Sequence, residues 1–390
     1  MKERLRLWYD RLFPQAKPLE PGVYHYQAPP EAPVQYRLHL RIEPGGEGVL
    51  IVNASTVLHL NRTAVEYAYH LVNGTPEDET GRIVAQRYNV AEDQARQDYQ
   101  ALVERIRILA ETPDLDPVTF LDFERADPYA TETVAPYRLD CALTYKVVSE
   151  HLGEVAPVDR VKREMLTDEW KTILDKAWNA GIPHVVFTGG EPTLRPDLPE
   201  IIQFGENLGM VTGLLTNGWR LSETDFLHQV LQSGLDHILL VLNPEEGHSW
   251  EALRDTLAED IYVTVHLTLT QENRAEIPAL LDRLKEMGVP SISLSAMDRT
   301  LDPDLQIARD SVAAHDMTLV WDLPVPYSAN HPVALELEQP EEVLAGPGRA
   351  WLYVEPDGDV LPAQGTNQML GNLLNEPWET VWERAKSRIR

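Results

Sequence analysis

Alternation and helical spacing of apolar positions divide this chain into two differently built regions. In the first, Tyr36-Arg-Leu-His-Leu-Arg-Ile42 alternates by side, the period of a half-buried strand. Glu43-Pro-Gly-Gly-Glu-Gly48 is turn chemistry, and Val49-Leu-Ile-Val52 pairs back as a hairpin. Thr56-Val-Leu-His-Leu60 predicts a third short strand. Asn61 stands as the N-cap of a helix reaching Val72, and Thr75-Pro76 opens another that runs to Tyr88. A third helix covers about Ala91 to Ala110. Upstream, residues 2–13 place Leu5, Trp8 and Leu12 on one helical face among Lys and Arg. A basic amphipathic helix suits a membrane surface; docking on its own protein is the plainer expectation. Residues 14–34, with Pro14, Pro18, Pro21, Pro29, Pro30 and Pro33, read as an extended connector.

From Tyr137 strands and helices alternate. Apolar strands are predicted near 137–144, 184–188, 211–216, 237–242, 262–269, 291–295 and 317–322. Amphipathic helices fall near 167–180, 197–208, 222–233, 249–257, 275–287 and 302–315. Repeated βα units make a parallel sheet, and such sheets hold ligands at the C-terminal ends of their strands. The loops after Thr144, Phe187, Leu215 and Leu242 are therefore the candidate site. The tail changes again: Trp351 to Leu361 is a hairpin around Pro356-Asp357-Gly358, and a last helix begins near Pro377.

Composition sharpens this division. Residues 1–112 carry 13 Lys and Arg against 15 Asp and Glu, which leaves 21 against 47 for residues 113–390. The whole chain of 390 residues has a formal charge of −28, so a nucleic-acid backbone is excluded as a general partner. No stretch approaches the ~20 apolar residues of a membrane span. The N-terminal Met1-Lys-Glu-Arg-Leu5 lacks a signal-peptide pattern, and a cytoplasmic protein is expected. The chain holds one cysteine, Cys141, which rules out an internal disulfide and any site with two cysteine ligands from this chain. His184, His237 and His266 lie at or in strands, where a buried neutral imidazole satisfied by a backbone partner is the expected state. Neither a Gly-x-Ser-x-Gly elbow nor a P-loop is present.

Phe187-Thr-Gly-Gly-Glu-Pro-Thr-Leu194 ends one predicted strand and opens a helix. Together with its neighbours, this string resembles the GGEP motif of the radical S-adenosylmethionine (radical SAM) superfamily. Leu139-Asp-Cys-Ala-Leu-Thr-Tyr-Lys146 is similar to that family's first strand, and Leu214-Leu-Thr-Asn-Gly218 to its third. Val263 to Gly288 is similar to the fifth strand and its helix. Gly348 to Pro362, Leu370-Gly-Asn372 and Trp378 to Trp382 are similar to the C-terminal extension that often holds auxiliary clusters. The resemblance implies an α/β fold built on a partial (β/α)6 radical-SAM-like barrel over 137–325, with a small hairpin and helix extension over 326–390. Residues 35–112 resemble the PqqD-like peptide-recognition domain, a winged three-helix α+β unit, after the helix and connector of 1–34 and before a linker at 113–136. That likeness implies leader-peptide binding along the strand Thr56, Val57, Leu58, His59 and Leu60, with the helix Glu92–Leu109 as the second wall.

The resemblance also exposes a departure. Active members place CxxxCxxC after the first strand, where three thiolates hold a 4Fe–4S cluster. Matching on Thr144-Tyr145-Lys146 puts those positions at Val147, His151 and Glu154. The corresponding auxiliary positions fall at Ala345 and Ala363, and the fourth strand ends Val241-Leu-Asn243 in place of Ser-Leu-Asp. His151 and Glu154 are metal-ligand types, although a solvated loop pair is the plainer reading. Cys141, inside the strand, reads as a small core residue. By the resemblance, Gly189, Gly190, Glu191, Pro192, Thr216 and Asn217 are the S-adenosylmethionine contacts, should that cofactor bind without iron. The expectation is a cluster-less radical-SAM-like protein with no required cofactor. It would bind a peptide or leader peptide and act as a scaffolding partner, alongside a peptide-modifying enzyme, in ribosomal peptide maturation. Two alternatives stay open: an enzyme using S-adenosylmethionine or a non-cysteine metal site, and a purely structural scaffold.

Overall fold

The structure, a computed structural model, describes residues 17–29, 31–112, 134–148, 155–321, 323–328, 331 and 346–388. The predicted helix at 2–13, most of the linker, and His151, Glu154 and Ala345 lie outside the described residues. The chain divides into two compact units, Met1–Val134 and Ala135–Arg390.

The first unit is a four-stranded antiparallel sheet followed by three helices. Strands β1 (Gly22–Gln27), β2 (Arg37–Ile42), β3 (Gly48–Val52) and β4 (Thr56–Leu60) lie in sequence order. Strand β1 corrects the reading of residues 14–34 as connector throughout. It pairs with β2 from Gly22↔Ile42 to Gln27↔Arg37 and forms an edge, where flanking prolines such as Pro21 cost no ladder bond. Strand β4 is the opposite edge. Helix α1 (Arg62–Val72) starts at Asn61, whose side chain accepts the Ala64 N–H at 3.0 Å. Helices α2 (Glu77–Tyr88) and α3 (Glu92–Glu111) complete the unit. Leu38, Leu40, Leu50, Leu58 and Leu60 face one core with Val65, Ala68, Val84, Leu102 and Ile106 of the helices.

The second unit is a ten-stranded sheet with parallel strands at its centre. Strands β5 (Arg138–Thr144), β6 (His184–Gly189), β7 (Val211–Thr216), β8 (His237–Val241), β9 (Tyr262–Leu269) and β10 (Ser291–Ala296) are neighbours in chain order. Between them run α4 (Thr167–Asn179), α5 (Leu198–Leu208), α6 (Thr224–Gln232), α7 (Gly247–Leu257) and α8 (Ile277–Glu286). Helix α9 (Asp302–Ala314) returns the chain to β11 (Thr318–Leu319), a two-residue strand where six residues were expected. The other side of β5 takes a parallel partner, β12 (Trp351–Val354), then the antiparallel β13 (Asp359–Leu361) and β14 (Gly371–Asn372), before the last helix α10 (Trp378–Arg388). This is the partial barrel and hairpin extension that the sequence resemblance implied.

Period-two alternation sorts the parallel strands into two faces. Leu139, Cys141, Leu143, Val185, Phe187, Leu214, Ile238 and Leu240 pack with helix residues such as Trp170, Ile173, Ile201, Leu227 and Leu253. The alternate positions carry a second small cluster, Val186, Leu215 and Leu239, and most of the buried polar residues of these strands, including Asp140, Thr188, Thr264 and His266. The single cysteine therefore belongs to the core between sheet and helices. Burial, with Asp140 beside it, pushes its thiol well above the ordinary value. No helix among the described residues is long and apolar enough to cross a membrane.

Candidate functional site

The site lies where β5, β6 and β7 end. Two consecutive glycines allow the β6 turn to close against the chain after β5. Gly189 has φ +129°, and a Cβ there would lie 2.1 Å from the Thr144 carbonyl oxygen. A Cβ at Gly190 would lie 2.3 Å from that of Lys146. With only hydrogens present, the Gly190 N–H donates to the Thr144 carbonyl at 2.9 Å and the Glu191 N–H to the Lys146 carbonyl at 2.7 Å.

Glu191 follows, fully buried, and its carboxylate is a hub for its own chain. Oε1 accepts the Thr193 N–H at 2.9 Å, the Thr193 hydroxyl at 2.5 Å and the Thr216 hydroxyl at 2.7 Å. Oε2 accepts the Asn217 N–H at 2.8 Å. Burial raises the Glu191 pKa, and these donors oppose the rise. Thr216 Oγ1 also accepts the Gly218 N–H at 3.0 Å, and Asn217 Oδ1 accepts that of Trp219 at 2.9 Å. Pro192 is buried at the start of a short 3-10 turn. A strap crosses this end of the sheet: the Tyr327 N–H donates to the Gly189 carbonyl at 2.8 Å, and Gln364 Nε2 donates to the Val325 carbonyl at 2.7 Å.

Beside the turn is a cavity of about 260 Å³, lined by Val147, Gly190, Glu191, Asn217, Leu242, Leu267 and others. Of the six residues the resemblance marks for S-adenosylmethionine, Gly190, Glu191 and Asn217 line this cavity. Gly189, Pro192 and Thr216 build the turn around it. Val147 packs against a cluster formed by Ala142, Tyr145, Val155, Ala156, Tyr327, Tyr353 and Leu361. The Tyr145 and Tyr327 rings meet edge to face, with centroids 5.6 Å apart.

These donors do not match a three-thiolate cluster. Val147, where the resemblance puts the first ligand, has no donor atom in its side chain, and neither does Ala363, where it puts one in the extension. Cys141 faces the helix core. Among the described residues, no group of three or more His, Cys, Asp and Glu side chains is placed to hold a metal ion.

Two polar arrangements are built on the strand histidines His184, His237 and His266, whose side-chain partners the sequence alone does not show. On β9 and β10, His266 Nδ1 lies 3.0 Å from Ser293 Oγ and its Nε2 3.0 Å from Ser295 Oγ, while Thr264 and Ser291 hydroxyls lie 2.8 Å apart. The alternations Thr264-Val-His-Leu-Thr268 and Ser291-Ile-Ser-Leu-Ser295 carry that signal. Burial drives His266 down to about 3. At the opposite strand ends, His184 Nε2 and His237 Nε2 are 2.9 Å apart, one donating and one accepting. Burial, with Arg138 nearby, takes His237 down to about 4. His237 and His266 are neutral core histidines, and their partners here are side chains where a backbone partner was expected.

The strand proposed for leader binding, Thr56–Leu60, pairs only with β3 among the described residues. Comparison with known proteins shows what this architecture is similar to. Residues 141–243 match the Radical SAM superfamily. A PqqA peptide cyclase of Streptomyces rochei is 27% identical over 264 residues, covering 59% of this chain and 71% of the relative. One from Xanthomonas oryzae pv. oryzae is 24% identical over 265 residues, covering 59% and 69%. Among solved structures, Streptococcus suis SuiB bound to S-adenosylmethionine aligns with a TM-score of 0.54 at 15% identity, over 92% of this chain and 88% of that one. SuiB bound to the precursor peptide SuiA gives 0.54 at 14%, over 86% and 84%. The strand order, the glycine-glycine-glutamate turn and these matches agree in one likeness: the chain is similar to the radical SAM superfamily, with its match to the family model at residues 141–243.

Proposed function

We propose that this protein binds a peptide or leader peptide and serves peptide maturation as a binding partner, without assembling a 4Fe–4S cluster or generating radicals. The observation that carries the reading is the donor set at the end of β5: Val147 lines the cavity, and the only thiol, Cys141, is buried in the helix core. Thiolate ligation is the usual requirement for such a cluster. The peptide half of the reading is supported by relatives named PqqA peptide cyclase and by the fold shared with SuiB, which has been solved with its precursor peptide. In this reading residues 35–112 are the PqqD-like recognition domain. The β4 edge, Thr56 to Leu60, takes the leader as an added strand through main-chain hydrogen bonds.

The test is a pull-down and calorimetric titration with precursor peptides encoded beside this gene. One of them is expected to bind the full chain, and Val57→Pro, which removes a backbone donor from the edge strand, is expected to weaken it at least tenfold. Failure of every such peptide to bind would favour a purely structural role.

A further inference from the structure

The cavity beside Val147 has a size, a lining and a charge that together select an occupant. Its volume is about 260 Å³. That exceeds the roughly 150 Å³ that holds a benzene ring and falls short of the roughly 300 Å³ at which pockets for drug-sized ligands begin. Val147, Val155, Leu242 and Leu267 supply apolar wall. Where the resemblance places the first thiolate, a branched hydrocarbon faces the space instead.

The rim is built differently. Trp219 also lines the cavity and is 43% exposed, an unusual state for an indole. It is held in place: its backbone N–H is bonded to Asn217, and its ring meets His248 edge to face with centroids 4.7 Å apart. His248 is in turn 2.9 Å from the Glu246 carboxylate. Asn217 and Asn243 line the same space. Each uses its amide oxygen on a backbone N–H, that of Trp219 or Glu245. Their NH2 groups make no hydrogen bond among the described residues, which leaves donors suited to a peptide carbonyl. No Lys or Arg is among the described residues lining the cavity, whereas Glu191 and Glu246 are. An anionic ligand is disfavoured there, and a cationic neighbourhood is welcome in a chain of charge −28.

We propose that this cavity seats one uncharged apolar or aromatic side chain of a bound peptide, flanked in that peptide by basic residues. The side chain packs on Val147 and Leu267, Trp219 covers it, and the Asn217 and Asn243 amides hold the adjoining main-chain carbonyls. The proposal rests on the peptide-binding reading above and deepens it: the volume beside the former cluster position serves as a specificity pocket.

The experiment titrates the full-length protein with acetylated, amidated Lys-Lys-Phe-Lys, the same peptide with Gly or Asp in place of Phe, and S-adenosylmethionine. The Phe peptide is expected to bind at least tenfold more tightly than the Gly peptide, and the Asp peptide not at all. Val147→Phe, which fills the space, is expected to abolish that preference with its near-UV circular dichroism unchanged. Should that variant fail to fold, Val147→Ala reads the same claim by shifting preference from Phe toward Trp. Equal binding of the Phe and Gly peptides, or a preference untouched by either Val147 variant, overturns the proposal. So does tight S-adenosylmethionine binding that excludes the Phe peptide. A cluster formed on reconstitution with iron and sulfide would instead overturn the non-radical reading, so the two failures are distinct.

Discussion

Tyr145 donates its hydroxyl hydrogen bond to Glu355 Oε1 at 2.8 Å, across 210 residues of sequence. The same oxygen receives Arg160 Nη2 at 2.6 Å, and Arg160 Nη1 reaches the Thr366 carbonyl at 3.2 Å. The end of β5 is thereby tied to the C-terminal hairpin through one buried carboxylate. Burial raises the Glu355 pKa and the adjacent Arg160 lowers it. Tyr145→Phe is expected to cost roughly 1–3 kcal/mol, a fall in Tm of several degrees for a unit of this size. A melting curve identical to that of the unmodified protein would show that this link does not hold the extension in place.

Glycine is required at the β6 turn by geometry. Gly190→Ala would bring its Cβ to 2.3 Å from the Lys146 carbonyl oxygen, a backbone atom that cannot swing away. The expected cost exceeds about 2 kcal/mol, measurable by urea unfolding. Gly45→Ala is the control, since nothing lies within 4 Å of a Cβ there. Equal midpoints for the two variants would contradict the close approach.

Acid should destabilise the second unit through its buried histidines. The folded-state values are about 4 for His237 and about 3 for His266, both below the unfolded value near 6.5. Their contribution is complete above pH 6.5. It is lost as pH falls toward those folded values, because the unfolded chain takes up protons that the folded one refuses, at up to about 1.4 kcal/mol per pH unit for each group. Buried Glu191 and Asp140 act in the opposite sense: their values are raised by burial, so the stability they contribute is present at low pH and lost as pH rises. The histidine slope is isolated by His266→Gln, which is expected to flatten stability between pH 6.5 and 4. An unchanged slope would mean that His266 titrates normally.

Cys141 should resist alkylation. Its side chain is buried in the helix core, and burial holds the thiol in its unreactive protonated form. Iodoacetamide is expected to label it only after unfolding. Rapid labelling of the native protein would place the thiol at an accessible surface.

The barrel was legible because its strands are short apolar runs or alternations separated by stretches of helical spacing, and its β6 turn needs glycine at two adjacent positions. Strand β1 was not: Pro18, Pro21 and Pro29 flank Val23-Tyr-His-Tyr26, and only pairing with β2 shows that this short run is an edge. The resemblance marks Glu191 as a cofactor contact, and nothing in the sequence signals the four hydrogen bonds that its carboxylate accepts from its own chain. The His266 ladder was written in plain alternation, but a Ser- and Thr-rich strand reads as half exposed until its partner strand is known. Trp219 and His248 are far enough apart in sequence that only the meeting of the loop after β7 with the first turn of α7 pairs them. The count of one cysteine was the plainest feature of the sequence, while the thiolate positions at Val147, His151 and Glu154 rest on the resemblance alone.

The most direct measurement is anaerobic reconstitution of the full-length protein with ferrous iron and sulfide, followed by iron and sulfide analysis of the desalted protein. The account predicts far less than one cluster per chain. It also predicts that Val147→Cys, His151→Cys and Glu154→Cys together restore cluster absorbance, serving as the positive control for the procedure. About four iron and four sulfide atoms per unmodified chain would contradict it.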